Sequence, residues 1–169
     1  YAQPQLMRLN DGEFYVAVGS GYNSTESDGH TSTTGDAVLY LLNVVTGAVV
    51  KKISTGYGMA EDPASGSLGN GLATVSGFDA GTLDLSDGEI KGSGDGKIDY
   101  IYAGDLFGNV WKFDLSSATP SDWDYVAETN PDDSLNSDRN PLKLFTAKDA
   151  DDVVQPITVQ LQVHQLYDG

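Results

Sequence analysis

The chain contains no cysteine. This absence excludes disulfides, thiolate zinc sites, iron–sulfur clusters and thiol nucleophiles, and it suits an oxidising exterior. The two histidines, His30 and His164, lie far apart, so we expect no histidine-rich metal site within one chain. No apolar run is long enough to span a bilayer, and no basic segment followed by an apolar one opens the chain. The sequence therefore predicts no membrane insertion, and its start at Tyr1 suggests a processed or excised piece.

Basic residues are also scarce. The 9 Lys and Arg residues stand against 25 Asp and Glu residues, which gives a formal net charge of −16. Such a surface repels the phosphates of nucleic acids and of anionic membranes, so we expect neither as a partner. Of the acids, 20 are Asp, a residue that prefers turns and caps to helix interiors. Cations, above all calcium, are the natural small ligands of this composition.

The apolar residues follow strand periodicity, and no amphipathic helix is evident. Short β-branched and aromatic runs are separated by Gly-rich turns, a pattern that predicts an all-β fold. We predict a first unit at residues 1–56, with strands at 3–9, 13–20, 37–44 and 48–54. A second unit is predicted at 57–147, with strands at 72–78, 99–103, 109–115 and 142–147. Residues 148–169 are predicted to begin a third unit, with a strictly alternating strand at 157–166.

The two complete units resemble each other. Residues 15–20 (YVAVGS) match residues 100–105 (YIYAGD), and residues 39–44 (LYLLNV) match residues 110–115 (VWKFDL). This alignment places Tyr40 opposite Trp111, Leu42 opposite Phe113 and Val44 opposite Leu115, all on one side of a strand. Four-stranded antiparallel units in tandem indicate a partial β-propeller, with a small β-sandwich as the alternative.

Residues 116–141 are polar, contain three prolines and are predicted to form a long loop with one helical turn at 121–125. Trp123 lies in this turn, where we expect it to fasten the loop to the core rather than to serve as an exposed contact. We expect Trp111 and Phe113 to belong to the core between the units.

Several motifs together resemble a known family. Residues 99–116 read DYIYAGDLFGNVWKFDLS, and GSGYN (19–23), LYLLNVVTG (39–47) and QPIT (155–158) accompany them in order. This set resembles the C-terminal propeller of PilY-type type IV pilus assembly and tip-adhesin proteins. The resemblance implies a quinoprotein-like propeller on the surface of piliated bacteria, at the pilus tip or associated with the outer membrane. It further implies pilus proteins such as minor pilins as partners, a possible host surface ligand, and a calcium site just before the YAGD strand.

Calcium chemistry can also be argued from the residues themselves. The run Asp95-Gly96-Lys97-Ile98-Asp99 places two carboxylates four residues apart around a glycine. This matches positions 5, 6, 7 and 9 of an EF-hand-like loop, in which position 7 supplies its backbone carbonyl. The hypothesis is one calcium ion bound by Asp95, Asp99, the Lys97 carbonyl and one or two upstream acids.

The loop departs from the EF-hand pattern at three positions. Position 1 is Lys91, position 3 is Ser93, and Tyr102 replaces the bidentate Glu at position 12. An insertion separates Asp79 from the rest of the loop, and we expect Asp79 to keep the first ligand role. The predicted ligand set is Asp79, Asp87, Ser93, Asp95, Lys97 and Asp99, with Asp84 or Glu89 as alternatives to Asp87. The competing interpretation is a solvated acidic turn.

Three classes of function follow. The first is a calcium-stabilised binding and assembly module of a type IV pilus, without enzymatic activity, that acts in assembly, retraction control and adhesion. The second is a fragment of a quinoprotein dehydrogenase, against which stands the lack of a visible catalytic constellation. The third is a non-catalytic structural domain of another surface protein.

Overall fold

A computed structural model describes residues 2–22, 32–66, 68–80, 82–84, 89–91, 94–124 and 141–164, with 82–84 and 89–91 described by their backbone alone. The first sheet has four antiparallel strands in the order β1-β2-β3-β4. They are β1 (Gln5–Arg8), β2 (Phe14–Gly19), β3 (Val38–Asn43) and β4 (Val49–Ser54). Short turns join β1 to β2 and β3 to β4, whereas the longer segment 20–37 connects β2 to β3.

The second sheet is also four-stranded and antiparallel, in the order β5-β8-β9-β10. Its strands are β5 (Ser76–Phe78), β8 (Tyr100–Gly104), β9 (Asn109–Asp114) and β10 (Leu142–Thr146). A two-stranded hairpin, β6 (Thr82–Asp84) with β7 (Glu89–Lys91), lies in the connection between β5 and β8. The sequence did not predict this hairpin, because each of its strands has only three residues.

The core lies between the two sheets. Leu39 and Leu41 from β3 and Trp111 and Phe113 from β9 are completely buried in one apolar cluster. The expectation that Trp111 and Phe113 belong to the core between the units is confirmed. Burying a large aromatic side chain stabilises the fold by roughly 1.5–3 kcal/mol, so each sheet depends on the other for much of its stability.

Trp123 connects the long loop to the first sheet. It lies in the 3-10 helix Pro120–Asp124, close to the predicted helical turn, and its side chain is completely buried. The indole ring meets Tyr15 of β2 edge to face at 5.7 Å between centroids, and its Nε1 donates to the Ser117 carbonyl at 2.8 Å. The prediction that Trp123 fastens the loop is therefore confirmed.

Strand pairing agrees with the predicted alignment of the two units. Val18 pairs with Tyr40 in the first sheet, and the aligned residues Ala103 and Trp111 pair in the second. The buried faces differ, because Tyr40 lies half-exposed beside the buried Leu41, whereas Trp111 is completely buried. Two units stacked in tandem turn opposite faces toward each other, so aligned positions differ in burial.

Two predicted strands are shorter or absent. The strand predicted at 72–78 forms a ladder only at Ser76–Phe78, preceded by one isolated bridge from Leu72. The strand predicted at 157–166 is not formed over its described residues, 157–164. Single hydrogen bonds hold this segment instead, such as that from the Ile157 amide to the Asp105 carbonyl at 2.9 Å. Alternation tells which side chains share a face, but a strand also needs a ladder partner, and the described residues provide none here.

A candidate cation-binding loop

Strand pairing brings the two ends of the acidic loop together. Phe78, the last residue of β5, pairs with Tyr100, the first residue of β8. The Asp99 amide donates to the Phe78 carbonyl at 3.0 Å, so Asp79 and Asp99 flank the same end of an antiparallel pair. The inserted hairpin between them does not alter this arrangement, because the sheet fixes both ends of the connection.

Asp79 is held against the turn that contains the predicted calcium motif. Its Oδ2 accepts the Gly96 amide at 2.7 Å, and its Oδ1 is buried and has no hydrogen-bond partner among the described residues. Gly96 has a φ of +81°, which favours glycine, and a Cβ at Gly94 would overlap the Asp79 carboxylate. Gly94 therefore permits the close approach of Asp79, and Gly96 permits the backbone conformation of the turn.

Asp99 is half-buried at the start of β8 and has partners on both carboxylate oxygens. Oδ2 accepts the Ala80 amide at 2.8 Å, which closes the two ends of the loop on each other. Oδ1 accepts the side-chain amide of Asn10 at 2.9 Å, from the turn between β1 and β2. Each carboxylate oxygen has two lone pairs, so these hydrogen bonds leave further acceptor capacity.

Asp95 interacts mainly with Lys97. The Lys97 Nζ lies 2.6 Å from Asp95 Oδ2, and the Lys97 amide donates to Oδ1 at 3.0 Å. The hydrogen bond from the Lys97 ammonium, opposed in part by desolvation, lowers the pKa of Asp95 below its usual range. The Asp95 side chain is 58% exposed, so the ion pair stabilises the loop only modestly. Lys97, predicted to act through its carbonyl, thus also supplies a counter-charge.

The structure brings together only part of the predicted ligand set. Asp79 and Asp99 lie at one end of the β5–β8 pair and Asp95 lies on the adjacent turn, whereas Asp87 and Ser93 lie outside the described residues. The side chains of Asp84 and Glu89, the alternative ligands, also lie outside them. In the part of the chain that the structure describes, no group of three or more acidic, His or Cys side chains is close enough to hold a metal ion.

An apolar groove of about 530 Å³ borders the loop. Gly96 and Ile98 form its loop side, and Leu6, Arg8 and Phe14 form the side contributed by the first sheet. Leu6 is 65% exposed and Phe14 is 50% exposed, which is high for side chains of this size. The groove therefore gives the loop an apolar surface as its immediate neighbour.

Sequence reasoning missed two polar residues that organise this region. Asn10 was not singled out, although the N-D-G turn that contains it is visible in the sequence. Asp105 was noted only as part of the YAGD motif, yet it is completely buried and accepts side-chain hydrogen bonds from Asn70, Asn109 and Trp111. An acid immediately after an apolar strand is a usable signal, because a buried carboxylate requires donors.

The family of the PilY1 beta-propeller domain matches residues 1–166 of the chain. The chain is 34% identical over 164 residues to a type IV pilus biogenesis factor PilY1 homolog of Xylella fastidiosa, covering 95% of this chain and 9% of that protein. It is 29% identical over 175 residues to the type IV pilus biogenesis factor PilY1 of Pseudomonas aeruginosa strain UCBPP-PA14, covering 94% of this chain and 12% of that protein. The chain thus spans only about a tenth of the length of these curated relatives, which are named as biogenesis factors rather than as enzymes.

A solved structure agrees with these sequence matches. The crystal structure of the Pseudomonas aeruginosa PilY1 C-terminal domain superimposes with a TM-score of 0.59 at 28% identity, covering 94% of this chain and 28% of that one. None of the helices described in our structure is long and apolar enough to cross a membrane. The all-β propeller fold and the family resemblance predicted from the YAGD motif are confirmed. The chain belongs to the PilY1 beta-propeller domain family.

Proposed function

We propose that this chain is a calcium-binding propeller segment of a type IV pilus biogenesis protein at the bacterial cell surface. In this proposal it acts without enzymatic activity in pilus assembly, retraction control and adhesion, with pilus proteins such as minor pilins and a host surface ligand as partners. Membership of the PilY1 propeller family and the names of its relatives support the pilus context.

One observation carries the calcium part of the proposal. Asp79 Oδ1 is buried without a hydrogen-bond partner among the described residues, while Gly96 holds the other oxygen of the same carboxylate. An unsatisfied buried polar atom costs on the order of 1–3 kcal/mol, and more for a charged group. A divalent cation beside this oxygen would remove that cost, since calcium prefers carboxylate and carbonyl oxygens as ligands.

The oxygen groups at the loop are of the type that a hard cation prefers. Asp79, Asp95, Asp99 and the Lys97 carbonyl are the described groups that would hold it, and they would have to draw closer together, because the described side chains form no group of three at metal-binding distance. Asp87 and Ser93 remain predicted ligands from the same loop. Calcium takes six to eight oxygen ligands, so the described groups would be completed by such residues or by water. Bound calcium supplies charge neutralisation to a loop whose carboxylates otherwise repel one another by roughly a few kcal/mol.

The proposed mechanism is a change in local order. Without the cation, the Lys97 ammonium is the counter-charge of Asp95, and the turn at 94–97 rests on a few exposed hydrogen bonds. With the cation, this turn becomes stiffer, and with it the groove that Gly96 and Ile98 line. The stiffened groove would then present a fixed apolar surface to a protein partner, as in other ion-dependent switches.

Calorimetric titration of the chelator-stripped full-length protein tests calcium binding directly. We expect the wild-type protein to give a binding isotherm and Asp79→Ala to weaken binding at least tenfold. Asp151→Ala is the matched control, because it removes one exposed carboxylate of the same chain outside the loop. Absence of heat with millimolar calcium in the wild-type protein would refute the calcium part of the proposal.

Motility tests the biological part. An Asp95→Ala/Asp99→Ala double variant of the full-length protein, expressed in its piliated host, should lose calcium-responsive twitching, whereas Asp151→Ala should not. If the double variant twitches normally and still responds to calcium, the proposed switch is wrong.

A further inference from the structure

We propose that Asn10 is a positioning residue that fixes Asp99 and couples cation binding in the loop to the docking of the first sheet against the second. This inference rests on the proposed calcium function for its ligand. The positioning itself follows from contacts of the described residues and can be tested in the metal-free protein.

The Asn10 side chain reaches across the boundary between the two sheets. Its Nδ2 lies 2.9 Å from Asp99 Oδ1, 3.1 Å from the Leu115 carbonyl and 3.2 Å from the Ile98 carbonyl. All three acceptors belong to the second unit, whereas Asn10 lies in the turn between β1 and β2. An amide nitrogen has two hydrogens, so the three acceptors share them, and the Asp99 carboxylate is the nearest.

The backbone on both sides of this contact is also joined. The Ile98 amide donates to the Arg8 carbonyl at 2.8 Å, and Leu9 and Ile98 form a parallel bridge. The end of β1 therefore runs beside residues 97–99, which carry two of the predicted cation ligand groups, the Lys97 carbonyl and the Asp99 carboxylate. A movement of Asp99 must be accommodated by the β1–β2 turn.

This geometry gives Asn10 a role that a simple turn residue lacks. The Ala80 amide holds Asp99 Oδ2, and Asn10 holds Oδ1, so the orientation of the carboxylate is defined from both sides. Residues that orient a metal ligand through a hydrogen bond typically change metal affinity by about 10–100-fold when they are removed. By reciprocity, an ion that orders Asp99 must also order the turn that holds it.

The experiment compares Asn10→Ala with Asn43→Ala in the full-length protein. Asn43 is the matched control, since it also stabilises a turn of the first sheet, through hydrogen bonds from the Val45 and Thr46 amides, and makes no hydrogen bond to the described residues of the loop. We expect Asn10→Ala to raise the calcium dissociation constant about 10–100-fold and Asn43→Ala to leave it unchanged.

Hydrogen exchange provides a readout besides affinity. In the metal-free protein, Asn10→Ala should accelerate exchange of the Ala80 amide, whereas Asn43→Ala should not. In the wild-type protein, calcium should slow exchange of the Leu9 and Gly12 amides, which form the β1–β2 turn, without slowing the β3–β4 turn. This wild-type measurement serves as the test if Asn10→Ala fails to fold.

The outcomes separate the two proposals. If the wild-type protein binds calcium, but Asn10→Ala binds equally well or the β1–β2 turn does not respond, the coupling inference is overturned and the calcium proposal stands. If the wild-type protein does not bind calcium, the calcium proposal and the coupling both fail. In that case unchanged exchange of the Ala80 amide in Asn10→Ala would also overturn the positioning role, and accelerated exchange would support it.

Discussion

The buried Asp105 carboxylate offers the sharpest test of how the second sheet is held together. Its Oδ1 accepts a hydrogen bond from the backbone amide of Asn109 at 2.8 Å. Oδ2 accepts three side-chain groups: Asn70 Nδ2 at 2.9 Å, Asn109 Nδ2 at 2.9 Å and Trp111 Nε1 at 2.7 Å. All four partners are donors, so only a group that accepts on both oxygens satisfies them.

Asp105→Asn keeps the shape of the side chain but cannot satisfy every donor. Whichever way the amide is turned, its NH2 group faces at least one buried N–H, and the hydrogen bonds that remain lose the assistance of the negative charge. A lost hydrogen bond to a charged group costs about 1.5–3 kcal/mol, and weakening of the others adds to this, so we expect destabilisation of about 2–4 kcal/mol. This corresponds to roughly 30- to 1,000-fold faster amide hydrogen exchange under conditions in which exchange follows the opening equilibrium.

Hydrogen exchange of peptides from β8 and β9 in the full-length protein measures the effect. The matched control is Asp151→Asn, the same chemical change at an exposed carboxylate, which should alter stability by less than about 0.5 kcal/mol. If Asp105→Asn exchanges within about threefold of the wild-type protein in these strands, the hydrogen-bond network contributes little and the reasoning is wrong.

Two further predictions concern a glycine pair and a pH-sensitive turn. Gly108 and Gly47 have φ values of +74° and +70°, but only a Cβ at Gly108 would meet a backbone atom closely, the Gln155 carbonyl oxygen at 2.7 Å. Gly47→Ala should therefore cost about 1 kcal/mol of unfolding free energy and Gly108→Ala clearly more, and equal losses in thermal unfolding would contradict this. The pKa of Asp62 is lowered chiefly by a hydrogen bond from the Leu68 amide. The ionised Asp62 carboxylate therefore stabilises the folded state above its ordinary pKa of 3.8, and this stabilisation disappears as the pH falls through the lower pKa of the folded state. Asp62→Asn should flatten the acid dependence of amide hydrogen exchange in residues 62–66. An unchanged pH profile would refute the role of the Asp62 carboxylate in this turn.

Local pattern was sufficient to predict most strands. Residues 13–20, 37–44 and 109–115 were predicted as strands, and the structure forms Phe14–Gly19, Val38–Asn43 and Asn109–Asp114. Period-two alternation and turn residues act within a few positions, so they define such elements without knowledge of the rest of the fold. The helical turn around Trp123 was also predicted, and the structure forms it at Pro120–Asp124.

The candidate site was predicted in part. Proximity of Asp79 to the DGKID turn was expected, and the structure places the Asp79 carboxylate on the Gly96 amide. The Lys97 ammonium as partner of Asp95 and the amide of Asn10 as partner of Asp99 were not expected. The latter contact joins residues 89 positions apart, and nothing in the local sequence specifies it.

The amino-acid composition and the local sequence pattern were enough to predict an acidic, cysteine-free chain of antiparallel β-strands. They also predicted its carboxylate-rich turn and the motifs of its family. The tertiary structure decided which face of β3 is buried, that residues 157–164 form no ladder, and that Asn10 and Asp105 hold separate segments together. The physical reason is that strand propensity arises from neighbouring residues, whereas burial, ladder pairing and the satisfaction of a buried carboxylate depend on groups that only folding brings within hydrogen-bond distance.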